Sequence, residues 1–137
     1  MFDKLFEPIK IGSLELKNRI AMAPMATGTS ETLDTITHVP GERTIAYYEA
    51  RAKGGCGLLM TEFVSFQPMG LSGPHLGEIF TEEAVEGWKK VTDACHKYGA
   101  KLSVEIGHKG RTNNWSKVTT GEERTVSASA QPCHIIQ

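Results

Sequence analysis

The sequence predicts an α/β fold of parallel strands, the N-terminal part of a (β/α)8 TIM barrel with a β-hairpin in front of it. Strand-like and helix-like stretches alternate along the chain, an order that calls for parallel strands joined by crossover helices. The segments that follow strands are long and rich in Gly, Pro, Ser and Thr, while those that follow helices are short. Barrel enzymes build their chemistry from loops at the C-terminal ends of the strands. The run Lys101–Arg111 adds a third sign, because its alternating strand pattern empties into a polar, cationic loop. About three βα units fit into the 137 residues, whereas a complete barrel takes about 250.

The elements follow in order. Ile9, Ile11, Leu14 and Leu16 flank Gly12-Ser13, which suits a tight hairpin turn. Asn18 to Met25 reads as an apolar strand stopped by Pro24, which cannot donate to a ladder. Ala26 to Pro40 reads as a long loop. Gly41 to Lys53 carries good helix formers and ends at Gly54-Gly55. Cys56 to Phe63 is nearly continuously apolar, as in a strand buried on both faces, and Glu62 closes it. A second loop spans Gln67 to Phe80.

Thr81 is the expected N-cap of the next helix, with Glu82 and Glu83 in its first turn, where the helix dipole favours negative charge. Ala84, Trp88, Val91, Cys95 and Tyr98 form one apolar stripe, so Trp88 and Tyr98 are expected in the core. Gly99 ends the helix. In the last strand Leu102, Val104 and Ile106 share one face, and Ser103 and Glu105 share the other. A plain strand followed by a solvated turn is the simpler reading of that stretch.

Composition narrows the function classes. A formal net charge of -1 argues against a general nucleic-acid binder. No stretch approaches the length of a membrane span, and Met1-Phe2-Asp3-Lys4 does not open a signal peptide, so no membrane partner and a cytoplasmic location are expected. Cys56, Cys95 and Cys133 are far apart with no C-x-x-C pair, which suggests neither a disulfide framework nor a metal site. Cys56 and Cys95 read as buried thiols. His38, His75 and His96 read as loop or surface histidines.

Five sequence pieces together resemble one known family. They are Leu5-Phe6-Glu7-Pro8-Ile9 with Ile11-Gly12 and Leu16-Lys17-Asn18-Arg19-Ile20; Ala23-Pro24-Met25; Tyr47-Tyr48 with Arg51-Ala52 and Gly54-Gly55; Gly57-Leu58-Leu59 with Thr61-Glu62; and His108-Lys109-Gly110-Arg111. In this order and spacing the chain resembles the Old Yellow Enzyme family of FMN-dependent NADH:flavin oxidoreductases, including the 2,4-dienoyl-CoA reductase and 2-enoate reductase branch.

The resemblance implies an eight-stranded barrel that holds FMN at its strand ends, takes reducing equivalents from NAD(P)H and reduces a small-molecule alkene. It also implies a homo-oligomer at full length. Ala23, Pro24, Met25 and Ala26 match the segment whose backbone meets the isoalloxazine. Glu105 stands where the family's third strand commonly ends in Gln, and Phe63 where a small residue is usual. An amide donates and accepts, whereas a carboxylate only accepts.

The family's substrate-anchoring histidines and its proton-donating tyrosine belong to later strands, as do its phosphate grip and the cysteines of any iron–sulfur cluster. No catalytic residue is therefore expected in this chain, and His134 is given no such role. The expectation is the N-terminal portion of an ene-reductase-class enzyme, inactive alone. A truncated product of such a gene, or another flavin barrel of dihydroorotate dehydrogenase type, is the alternative.

Overall fold

A computed structural model describes residues 2–113, 115, 119–121 and 125–131. The chain opens with one helical turn, α1 (Asp3–Phe6), and an antiparallel hairpin of β1 (Ile9–Ile11) and β2 (Leu14–Leu16). Gly12 turns the hairpin at φ 59°, a left-handed conformation that glycine adopts without steric cost. Ile9 pairs with Leu16 and Ile11 with Leu14, which leaves Gly12-Ser13 as the expected tight turn.

Three parallel strands follow in spatial order β3 (Ala21–Met22), β6 (Leu58–Ser65) and β7 (Lys101–Gly107). α2 (Glu42–Lys53) connects the first pair and α3 (Glu82–His96) the second. β3 is much shorter than the Asn18–Met25 stretch suggested, because Asn18 takes a different part. Its Nδ2 donates to Gly55 O at 2.7 Å and its Oδ1 accepts from Ile20 N at 3.1 Å, so the side chain ties the entry of β3 to the end of α2.

The stretch Ala26–Pro40 is not a plain loop. It carries a small antiparallel ladder of β4 (Glu31–Thr32) and β5 (His38–Val39). Asp34 makes the turn between them by accepting from the Ile36 and Thr37 amides, each at 2.8 Å, and these bonds lower its carboxyl pKa. His38 is only 3% exposed, which corrects its reading as a surface histidine.

The core lies between the sheet and the two longer helices. Tyr48 and Ala52 of α2 meet Trp88, Val91 and Cys95 of α3 and Leu59 and Val64 of β6. The Tyr48 and Trp88 rings stand 6.2 Å apart at a tilted angle. Cys56 and Cys95 are buried free thiols. Thr81 caps α3 by accepting from Ala84 N at 3.2 Å. Tyr98 departs from its expected place: it lies past the end of α3 and is 36% exposed.

One irregularity positions the site. Met60 pairs with Ser103 and Phe63 with Glu105, so Thr61 and Glu62 together oppose the single residue Val104. The extra residue is a β-bulge, which resets the in–out alternation of the strand. Leu59 and Val64 are an odd five residues apart, yet both enter the same core. Thr61 is buried in the bulge, where its Oγ1 accepts from Glu105 N at 3.0 Å and donates to Glu62 O at 2.8 Å. The side chain replaces the ladder bond that the bulge interrupts.

Candidate flavin site at the strand ends

All six residues singled out from the sequence lie at the C-terminal ends of the three parallel strands. Ala23, Met25 and Ala26 are exposed and Pro24 is half-buried. Pro24 has no N–H, and among the described residues no loop or side-chain hydrogen bond engages the main chain of Met25 or Ala26. A short stretch of backbone with free donors and acceptors thus follows β3. It is fixed at its far side, where Thr27 N donates to Glu62 Oε2 at 2.7 Å.

Phe63 and Glu105 are register partners and so share the inner face of the sheet. Glu105 is exposed and Phe63 half-buried. The Phe63 ring lies along β7 toward Gly107, where the absence of a Cβ leaves room for it. His108 follows directly and is held from several sides. Its Nδ1 accepts from Gly110 N at 2.8 Å, the Gln67 amide lies 2.7 Å from Nε2, and the Phe66 ring lies 5.6 Å away. These contacts make His108 a brace between two strand-end loops.

Residues 4–135 match the NADH:flavin oxidoreductase / NADH oxidase family. The chain belongs to that family. It is 33% identical over 137 residues to N,N-dimethylglycine/sarcosine dehydrogenase of Chromohalobacter salexigens, covering 97% of this chain and 19% of the relative. It is 34% identical over 136 residues to an NADH oxidase of Thermoanaerobacter brockii, covering 98% and 20%. A solved Old Yellow Enzyme homologue from Zymomonas mobilis superposes with a TM-score of 0.80 at 34% identity, covering 93% of this chain and 34% of that one. The chain therefore spans about a fifth of these two relatives and a third of that solved structure. Its three parallel strands form a portion of the flavin oxidoreductase (β/α)8 barrel.

The burial of two carboxylates, Glu62 and Glu78, was not anticipated from the sequence. Glu62 does not close its strand; β6 runs on to Ser65, and Glu62 is fully buried. Its Oε2 accepts from Thr27 N and, at 2.8 Å, from Thr27 Oγ1, while Oε1 accepts from Gly77 N at 3.0 Å and Ser30 Oγ at 3.4 Å. Its own N–H donates to the Tyr48 hydroxyl at 2.8 Å. Burial raises the Tyr48 phenol pKa above its usual range. An acid inside the apolar run Leu58–Val64 was the available signal, since a carboxylate is buried only where donors meet it.

Glu78 is the second, also fully buried. It accepts from Phe80 N at 2.7 Å and Thr81 N at 3.1 Å and takes the Thr81 hydroxyl as well, while its carbonyl accepts from Trp88 Nε1 at 2.9 Å. It fastens the Gln67–Phe80 loop to the start of α3. Among the described residues no group of three or more His, Cys, Asp and Glu could hold a metal ion, and no helix is long and apolar enough to cross a membrane. Cys133 and His134 lie outside the described residues.

Proposed function

We propose that this chain supplies the strand ends on which an FMN-dependent NAD(P)H oxidoreductase holds its flavin, in an enzyme that reduces activated C=C bonds of small molecules. The observation that carries the reading is the convergence of the open Ala23–Ala26 backbone and the inward pair Phe63 and Glu105 on one end of a parallel sheet. When bound, FMN supplies hydride transfer between a reduced nicotinamide and the alkene.

The residues fit such a ring in distinct ways. Free main-chain groups at Met25 and Ala26 suit the polar edge of an isoalloxazine, and the Phe63 ring offers an apolar wall. Glu105 presents an acceptor-only group to that edge. Its negative charge disfavours an electron-rich ring, and an amide at this position would donate as well as accept.

Titration of the chain with FMN, followed by flavin fluorescence, tests the proposal. Saturable but weak binding is expected, with a Kd above about 1 µM, that is, less favourable than about -8 kcal/mol. Glu105→Gln should tighten it by about 1 kcal/mol, the scale of one restored hydrogen bond. No saturable change up to millimolar FMN would overturn the reading, as would equal affinity of the two proteins.

A further inference from the structure

We infer that Glu62 is a positioning residue that clamps the Ala23–Ala26 segment to the second barrel strand and to the Gln67–Phe80 loop. This rests on the flavin reading only for what the segment holds. Thr61-Glu62 is one of the sequence pieces that carry the resemblance to the family, and the strand ends proposed to meet FMN do not include Glu62 itself.

The geometry is specific. Each carboxylate oxygen faces two donors. On the Oε2 side both belong to Thr27, the residue immediately after Ala26. On the Oε1 side they come from Gly77 N and Ser30 Oγ. A single buried side chain therefore spans the loop after β3 and the loop after β6. Thr27 Oγ1 also contacts Thr29 Oγ1 at 2.8 Å, and Thr29 Oγ1 donates to Thr44 Oγ1 at 3.1 Å, which extends the same tie to α2.

The β6 bulge sets the phase of the strand at this point, with Glu62 on one side of the ladder and Phe63 paired with Glu105 on the inner face. Fixing Thr27 fixes the height at which Met25 and Ala26 leave the sheet, although neither carries a loop hydrogen bond of its own among the described residues. Acceptors on both sides are essential. An amide in place of the carboxylate keeps the shape but turns an NH2 toward one of the two donor pairs.

Amide hydrogen exchange with and without FMN tests this. In Glu62→Gln the Thr27 and Gly77 amides should exchange at least about tenfold faster relative to the Lys101 amide, which is bonded to Gly57 O. FMN affinity should fall by a similar factor. Tyr48→Phe removes the hydroxyl bonded to Glu62 N but leaves the carboxylate untouched, so it should destabilise without that selective change. Thr27→Val, a milder variant that keeps the backbone donor, should speed exchange at Thr27 and spare Gly77.

Equal acceleration in Glu62→Gln and Tyr48→Phe would overturn the inference, as would no acceleration at either amide. Selective acceleration with unchanged FMN affinity would overturn the positioning role. Failure of the unsubstituted chain to bind FMN would sink the flavin reading alone, because the exchange contrast needs no flavin.

Discussion

The Phe63 ring occupies the space where a side chain on residue 107 would begin. A Cβ at residue 107 would collide with Phe63 Cε2. Gly107→Ala should force the ring off the inner face and cost about 1 to 3 kcal/mol as overpacking. In a Phe63→Ala background the same change should cost little. Denaturant unfolding of the four proteins of this cycle checks it, and additive single effects would show that the two positions do not touch.

The N-terminus of α3 depends on one hydroxyl that works in two directions. Thr81 Oγ1 accepts from Ala84 N and donates to the buried Glu78 carboxylate. Thr81→Ala should lose about 1 to 2 kcal/mol, while Thr81→Ser should keep most of it. Thermal and urea unfolding report the difference, and equal losses in the two variants would place the effect on the methyl group instead.

Stability should fall on mild acidification through His38. Burial lowers its pKa below the usual 6.5, and His75 adds to the lowering, while the Thr35 backbone, Glu78 and Asp34 oppose it. The unfolded chain therefore takes up this proton first as pH falls. The contribution is fully present above about pH 6.5 and is lost progressively below it, down to the lowered folded value. His38→Asn, which can keep an acceptor for Thr32 Oγ1, should flatten the stability curve in that window. An unchanged slope between about pH 5 and 7 would assign it to another group.

Cys95 should be a poor nucleophile in the folded chain. Burial pushes its thiol pKa up to about 11, with Glu49 and Cys56 contributing in the same direction, and the thiolate is the reactive form. Iodoacetamide at pH 8 should leave Cys95 unmodified until denaturant is added, as read by mass spectrometry of its peptide. Rapid labelling of the native protein would contradict its burial.

Much of the fold was legible because it rests on local rules. Gly12-Ser13 between short apolar pairs gave the hairpin, Gly54-Gly55 the end of α2, and Thr81 the start of α3. The small ladder inside Ala26–Pro40 was not legible, since two-residue strands carry no period. Its turn was set by Asp34, one polar residue among many in that stretch. Tyr98 continued the apolar stripe in sequence, but α3 ends at His96 and the chain turns away before Tyr98 can follow the helix face.

The sequence by itself determined which segments alternate as strands and helices, and that the long loops follow the strands. Those properties follow from hydrophobic period, capping and turn chemistry, all of which act between near neighbours. Only the tertiary structure decided which way the side chains of β6 point. The bulge at Thr61-Glu62 depends on the pairing with β7, where Glu105 lies 44 residues beyond Thr61, and on donors from Thr27, Ser30 and Gly77 that no local pattern brings together. A buried carboxylate acquires its partners from whatever the folded chain carries to it. The role of Glu62 was therefore fixed by contacts that exist only after the sheet has formed.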